Sequence, residues 1–165
     1  MKSYLGKDIL LVEELKCLLE KQQKTIATAE SCTGGIFATV LTELSGSSKF
    51  YRGGVCCYSN ESKVKVLHVS EELLQEHGAI SKEVAQVLAS HVCKSFGADL
   101  GVSLTGVAGP LGGTRKNPVG NIWYSIYHDG VNESSLLQLA GDRYTIRTDA
   151  IKQVLKKTIE ILEGL

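Results

Sequence analysis

Thr25-Ile-Ala-Thr-Ala29 is a short run rich in β-type residues that ends against Glu30-Ser-Cys-Thr-Gly-Gly35, and helix-type spacing resumes at once through Ile36, Val40, Leu41 and Leu44. A strand passing through a glycine pair into a helix is the repeating unit of α/β folds. The junction gathers a carboxylate, a serine, a thiol and a hydroxyl at a helix N-terminus, where backbone N–H groups favour anions and activated nucleophiles.

The rest of the chain continues the alternation. Leu11, Leu15, Leu18 and Leu19 predict an amphipathic helix over 8–22. Ser45–Ser48 breaks the second helix, and Gly54–Tyr58 reads as a second strand closed by the polar cluster Ser59–Lys63. Ser70 and Ser81 each open a helix, the longer carrying Val84, Val87, Leu88 and Val92. Leu100–Thr105 is a strand running into the glycine-rich loop Gly106–Gly113, and Asn121–Tyr127 another. Asp129-Gly130 is a turn signal, with Ser134–Leu139 as hairpin partner, and Thr148 opens a last helix carrying Ile151, Val154, Leu155, Ile159 and Leu162. This order predicts a single-domain three-layer α/β/α sandwich over residues 1–165, with a mixed sheet because a hairpin cannot be parallel.

Bulk properties narrow the function. Lys+Arg and Asp+Glu are equal at 18 each, so no net field steers the chain toward nucleic acid or an anionic membrane. The apolar runs are too short to span a bilayer and the N-terminus lacks a signal-peptide core, which makes a cytoplasmic location the expectation. Five cysteines, at 17, 32, 56, 57 and 93, form no CxxC pair, so neither a disulfide framework nor a zinc site is indicated.

Three polar segments follow three predicted strands: Glu30–Gly35, Ser59–Lys63 and Thr105–Gly113. Loops at the carboxyl ends of strands in an α/β sheet converge on one crevice. Neither glycine loop matches a phosphate fingerprint, since one lacks the Lys-Ser/Thr of a P-loop and the other lacks GxGxxG. Ser31 is either a capping serine or a nucleophile whose oxyanion meets the N–H groups of Thr33, Gly34 and Gly35. Of the four histidines, at 68, 77, 91 and 128, none falls in the polar segments, which disfavours a Ser-His-Asp triad. Lys63, if desolvated, would serve as base; otherwise it is a solvated surface group. Tyr58 would orient that lysine or simply pack at a strand end. Arg143 and Arg147 would share one face for anion capture if a helix has begun there. Cys32 is a rival nucleophile, because a helix N-terminus can depress a thiol's pKa.

Thr28–Gly35, Gly46-Ser-Ser48, Arg52-Gly53, Tyr58-Ser-Asn-Glu61 with Lys63, His77-Gly-Ala79, Thr105–Pro110, Gly112-Gly113, Pro118-Val-Gly120 and Gly141-Asp-Arg143 together resemble the CinA C-terminal domain family in order and spacing. The resemblance implies hydrolysis of nicotinamide mononucleotide to nicotinate mononucleotide and ammonia by a serine/lysine pair falling on Ser31 and Lys63, with Tyr58 supporting the lysine. It implies substrate-binding positions at Glu30, Thr33, Gly34, Gly35, Ser48, Thr105, Gly109, Gly112 and Gly113, with Arg143 or Arg147 on the phosphate. No cofactor or metal is implied; the expected partner is a small-molecule nucleotide, and family members tend to form homo-oligomers. Leu111, where a small or acidic residue is usual, and Asn117, where lysine commonly precedes Pro-Val-Gly, depart from the pattern. The molybdopterin-binding-like domain of longer members lies outside these 165 residues. The alternative is a non-catalytic nucleotide-binding or adaptor module, since the family takes its name from competence and DNA-damage induction.

Overall fold

A computed structural model describes residues 3–165. A 3-10 turn at Gly6–Ile9 leads into α1 (Leu10–Gln22), followed by β1 (Ile26–Glu30), α2 (Ile36–Thr42) and β2 (Tyr51–Cys56). Three helices follow, α3 (Asn60–Leu67), α4 (Glu71–His77) and α5 (Lys82–Phe96), then β3 (Leu100–Gly106), the hairpin β4 (Asn121–His128) and β5 (Val131–Gln138), and α6 (Arg143–Glu163). The sheet order is β2-β1-β3-β4-β5. β1 is parallel to both β2 and β3, whereas β3, β4 and β5 run antiparallel in turn.

Side-chain alternation along the strands divides the interior into two cores. Ile26, Val102, Leu104, Ile122 and Ile126 join Leu15, Leu19, Phe37, Val40, Ile151 and Leu155 on the face covered by α1, α2 and α6. Ala27 and Ala29 meet Leu67, Val84, Leu88 and Val92 on the face covered by α3 and α5. The three-layer α/β architecture with a mixed sheet is therefore as the sequence predicts.

Several boundaries differ from expectation for identifiable reasons. β2 begins at Tyr51 rather than Gly54, because Gly53 and Gly54 interrupt the β signal while serving the sheet: a Cβ on Gly54 would collide with Thr28 on β1. Ser59–Lys63 is not a loop but the entry to α3, a helix missed because its first turn is polar and its stripe is only eight residues long. There Ser59 accepts from the Ser62 N–H and Ser62 Oγ accepts from the Ser59 N–H, a reciprocal cap. α6 starts at Arg143, five residues before Thr148, because the Asp142 carboxylate accepts the Thr145 N–H. The hairpin turns on Asp129 and Gly130, both at positive φ, which matches the twist of the flanking strands.

The chain leaves β1 toward β2 on one side and leaves β3 toward β4 on the other. The carboxyl ends of β1 and β3, adjacent in the sheet, thus flank a topological switch point, the usual place for a ligand crevice in an open α/β sheet.

Candidate active site

Ser31 is the first residue past β1, and its N–H donates to the Leu104 carbonyl at 3.0 Å, which carries the β1–β3 ladder one step beyond the strand. On the other side the Cys57 N–H donates to the Glu30 carbonyl at 2.8 Å. The ends of three strands are stitched together at Glu30-Ser31, and α3 then rises from Ser59 to bring Lys63 inward.

Lys63 is only 2% exposed. Its Nζ lies 3.1 Å from Ser31 Oγ and donates to the Cys57 carbonyl at 2.8 Å. No carboxylate pairs with it among the described residues. Burial pushes its pKa below the ordinary lysine value; ionised thiolates at Cys57, Cys32 and Cys56 would act the other way. Those thiols are themselves pushed up by burial, Cys32 to about 12 and Cys57 to about 11, so near neutrality they carry no charge to hold the ammonium.

The two groups border a cavity of 270 Å³ whose other walls include Cys32, Tyr58, Thr105–Gly109, Leu111, Gly112 and Arg143. Arg143, from the first turn of α6, donates to the Gly109 carbonyl at 2.8 Å and to the Tyr58 hydroxyl at 3.1 Å, closing the rim. Thr105 Oγ1 donates to the Ala79 carbonyl at 2.8 Å and so holds the Ala79-Ile80 wall.

The structure brings together Ser31, Lys63, Tyr58, Thr105, Gly109, Gly112 and Arg143, and it moves other expected site residues elsewhere. Glu30, 1% exposed, accepts from the Gly35, Phe37 and Ala38 N–H groups at 3.1, 2.9 and 2.8 Å. It caps α2, so neither Glu30 nor the Gly35 N–H is available to a ligand, and Ser31 is not the cap. The Gly34 N–H is likewise used, on the Ser31 carbonyl at 3.1 Å, whereas those of Cys32 and Thr33 meet no acceptor among the described residues. Arg147 donates to the Thr33 carbonyl, and a Cβ on Gly34 would stand 2.6 Å from Arg147 Nη2. Arg147, Thr33 and Gly34 therefore brace the turn from behind and do not line the cavity. Gly113 abuts Val119 outside it. Ser48 lies in the 3-10 turn Ser47–Lys49 before β2, at the opposite end of the sheet, roughly 17–20 Å away by the rise of a six-residue strand.

Tyr58 is 61% exposed and touches Arg143, not Lys63; the group that orients the lysine is the Cys57 carbonyl. Cys32 does line the cavity, but burial outweighs its own backbone N–H and the nearby cations Arg147 and Lys63, and disfavours the thiolate. No histidine borders the cavity: His91 Nδ1 meets the Leu67 carbonyl and His128 lies beside Glu133. Among the described residues no group of three or more His, Cys, Asp or Glu is placed to hold a metal ion, and no helix is long and apolar enough to cross a membrane. Asn60, Ala79 and Ile80 line the cavity without having been singled out; the signals were Tyr58-Ser-Asn-Glu61 and His77-Gly-Ala79, whose inner members carry no distinctive chemistry.

A family model described as the CinA C-terminal domain matches residues 9–162. The chain belongs to the CinA C-terminal domain family. It is 48% identical over 133 residues to a CinA-like protein of Kosmotoga olearia, covering 81% of this chain and 32% of that one. A CinA-like protein of Syntrophomonas wolfei is 40% identical over 161 residues, covering 94% and 39%. The chain thus spans about a third of the length of these curated CinA relatives. Among solved structures, the competence damage-inducible protein A of Klebsiella pneumoniae superposes with a TM-score of 0.92 at 33% identity, covering 94% of this chain and 97% of that one. The competence/damage inducible protein CihA of Agrobacterium tumefaciens gives 0.91 at 30% identity, covering 94% and 96%. The CinA fold and the α/β class are thereby shared.

Proposed function

We propose that this chain is a nicotinamide-nucleotide amidohydrolase in which Ser31 is the nucleophile and Lys63 the general base. The observation that carries the reading is a buried lysine, without a carboxylate partner and biased toward its neutral amine, 3.1 Å from a serine hydroxyl at the floor of a cavity. A neutral amine accepts a proton where an ammonium cannot, and serine needs such a base at hydrogen-bond distance.

The chemistry follows from these positions. Ser31 Oγ attacks the carboxamide carbon while its proton passes to Lys63 Nζ. The oxyanion meets the open N–H of Cys32, the neighbour of Ser31 that lines the cavity, rather than those of Gly34 and Gly35. Lys63, now an ammonium held by the Cys57 carbonyl, returns the proton to the departing nitrogen, which leaves as ammonia. Water, deprotonated by Lys63, then attacks the Ser31 ester, and Lys63 returns that proton to the departing Ser31 Oγ, which frees the carboxylate and restores the neutral amine. A cavity of 270 Å³ lies just under the roughly 300–1,000 Å³ usual for small-molecule sites, so the phosphate end of a mononucleotide would reach the rim, where Arg143 stands.

The test is ammonia release from nicotinamide mononucleotide by the purified protein. Ser31→Ala is expected to lose activity by roughly 10⁴-fold or more, and Lys63→Met comparably. Saturable binding of the mononucleotide without any ammonia would replace this reading with the non-catalytic nucleotide-binding module.

A further inference from the structure

A second cavity, of 380 Å³, lies on the same face of the sheet as the first. Thr105, Trp123 and Leu136 are direct cross-strand partners on β3, β4 and β5, so one row of side chains runs from the Ser31 cavity, bordered by Thr105, to the second groove, bordered by Trp123 and Leu136. The His77–Ser81 segment stands between the two, and Ile80 lines both.

The groove holds groups that the proposed reaction does not use. Trp123 offers a half-buried indole face flanked by Leu136 and Ile80. Asn121 is 7% exposed, lines the groove, and its side-chain amide has no hydrogen-bond partner among the described residues. The amide thus offers both a donor and an acceptor to a ligand with a complementary edge. Lys82 and Lys116 border the groove and pair with no carboxylate among the described residues, whereas the one carboxylate present, Glu83, faces His77 Nδ1 at 3.6 Å. An aromatic plate, an amide without a protein partner and two ammonium groups that no carboxylate neutralises fit a planar heterocycle bearing a phosphate.

We propose that the Trp123 groove is a second ligand site, for a nucleoside monophosphate, and that its occupancy is felt in the Ser31 cavity through the His77–Ser81 wall. The wall is tied from both sides. Thr105 holds the Ala79 carbonyl, while on the groove side Lys116 Nζ donates to the His77 carbonyl and Asn117 Nδ2 to the Ile80 carbonyl, both at 3.4 Å. A phosphate that draws Lys116 away loosens the groove-side tie, which gives the ligand different contacts with the two arrangements of the wall, as coupling requires.

Trp123 is the only tryptophan, so its emission reports the groove alone. Titration of the Ser31→Ala protein with adenosine monophosphate is expected to quench that emission saturably, with half-effect below about 1 mM. Lys82→Ala, remote from the Ser31 cavity, is expected to weaken the quench about tenfold while leaving basal ammonia release unchanged. In wild-type protein the same nucleotide is expected to shift the KM for nicotinamide mononucleotide at least about twofold, an effect lost in Lys82→Ala. The coupling rests on the proposed reaction but the binding does not: absence of ammonia release with an intact, Lys82-dependent quench condemns the reaction and keeps the site. No quench, a quench indifferent to Lys82, or emission that changes with protein concentration alone because a second copy covers the groove, each overturns the site. A Lys82-dependent quench with an unmoved KM overturns the coupling.

Discussion

Burial lowers the pKa of Lys63 and raises those of Cys32 and Cys57 around it, so the neutral form of every one of these groups is favoured. For a general base this sets the sign of the pH profile. kcat/KM should rise with pH as Lys63 loses its proton, with an inflection below the roughly 10.4 of an ordinary lysine. Lys63→Arg should be inactive across the whole range, because a guanidinium does not deprotonate; a flat wild-type profile would remove Lys63 from the role of base. Tyr58 is bonded to Arg143 rather than Lys63, which in the proposed reaction assigns it to substrate capture. Tyr58→Phe is therefore expected to raise KM a few-fold with kcat and the pH inflection unmoved, and Arg143→Ala to raise KM by about tenfold or more, measured by steady-state ammonia release. A Tyr58→Phe variant with a shifted inflection would restore the link to the lysine.

At the scale of elements, the device that positions Ser31 is the join between β1 and α2. Gly35 enters α2 at positive φ with no side chain to cap it, and the first N–H groups are satisfied from the preceding strand end by Glu30. Glu30→Ala strands three donors around a buried site. It is expected to cost about 3 kcal/mol or more, read by denaturant unfolding, since charged hydrogen bonds contribute roughly 1.5–3 kcal/mol each. The loss should exceed that in Glu30→Gln, which keeps one acceptor oxygen. Equal stability of wild type and Glu30→Ala would refute the capping role. The same elements show what sequence patterns convey. The apolar periods of α1 and α5 are long and regular, and both helices are plain in the sequence; α3, short and polar at its start, is not, although it carries Lys63. The start of α6 was hidden in the same way, because its first turn, Arg143-Tyr-Thr, carries the site rather than the core stripe.

Over the whole molecule, the burial of Lys63 bears on stability as well as on the proposed chemistry. Below its folded pKa, Lys63 is protonated in both folded and unfolded states, and the native state bears the desolvation of the ammonium. Because the folded pKa is the lower one, the unfolded chain binds more protons between the two values, so this contribution makes stability rise with pH through that window. Lys63→Met, which fills similar space without the charge, is expected to raise Tm at neutral pH, with the gain shrinking as pH climbs toward the ordinary lysine value. Calorimetry of the two proteins at several pH values decides it; a destabilised Lys63→Met, or a gain that grows with pH, would contradict a lysine strained by burial.

The chain by itself determines its layers, because period and punctuation are local: apolar stripes every three to four residues, short β runs and glycine breaks name helices, strands and turns without reference to anything distant. It also marks which segments are chemically unusual, since Ser31, Lys63, Thr105 and Arg143 stand in polar or glycine-rich stretches beside strands. Only the tertiary structure decides what those residues do. Whether Glu30 faces a ligand or caps a helix, whether Arg147 or Arg143 reaches the cavity, and whether Ser48 is near or far depend on strand order and helix placement, which no local pattern encodes. Lys63 is the clearest case. In sequence it is one lysine among eighteen basic residues, and it becomes a candidate base because folding removes its water and brings it 3.1 Å from a serine thirty-two residues away.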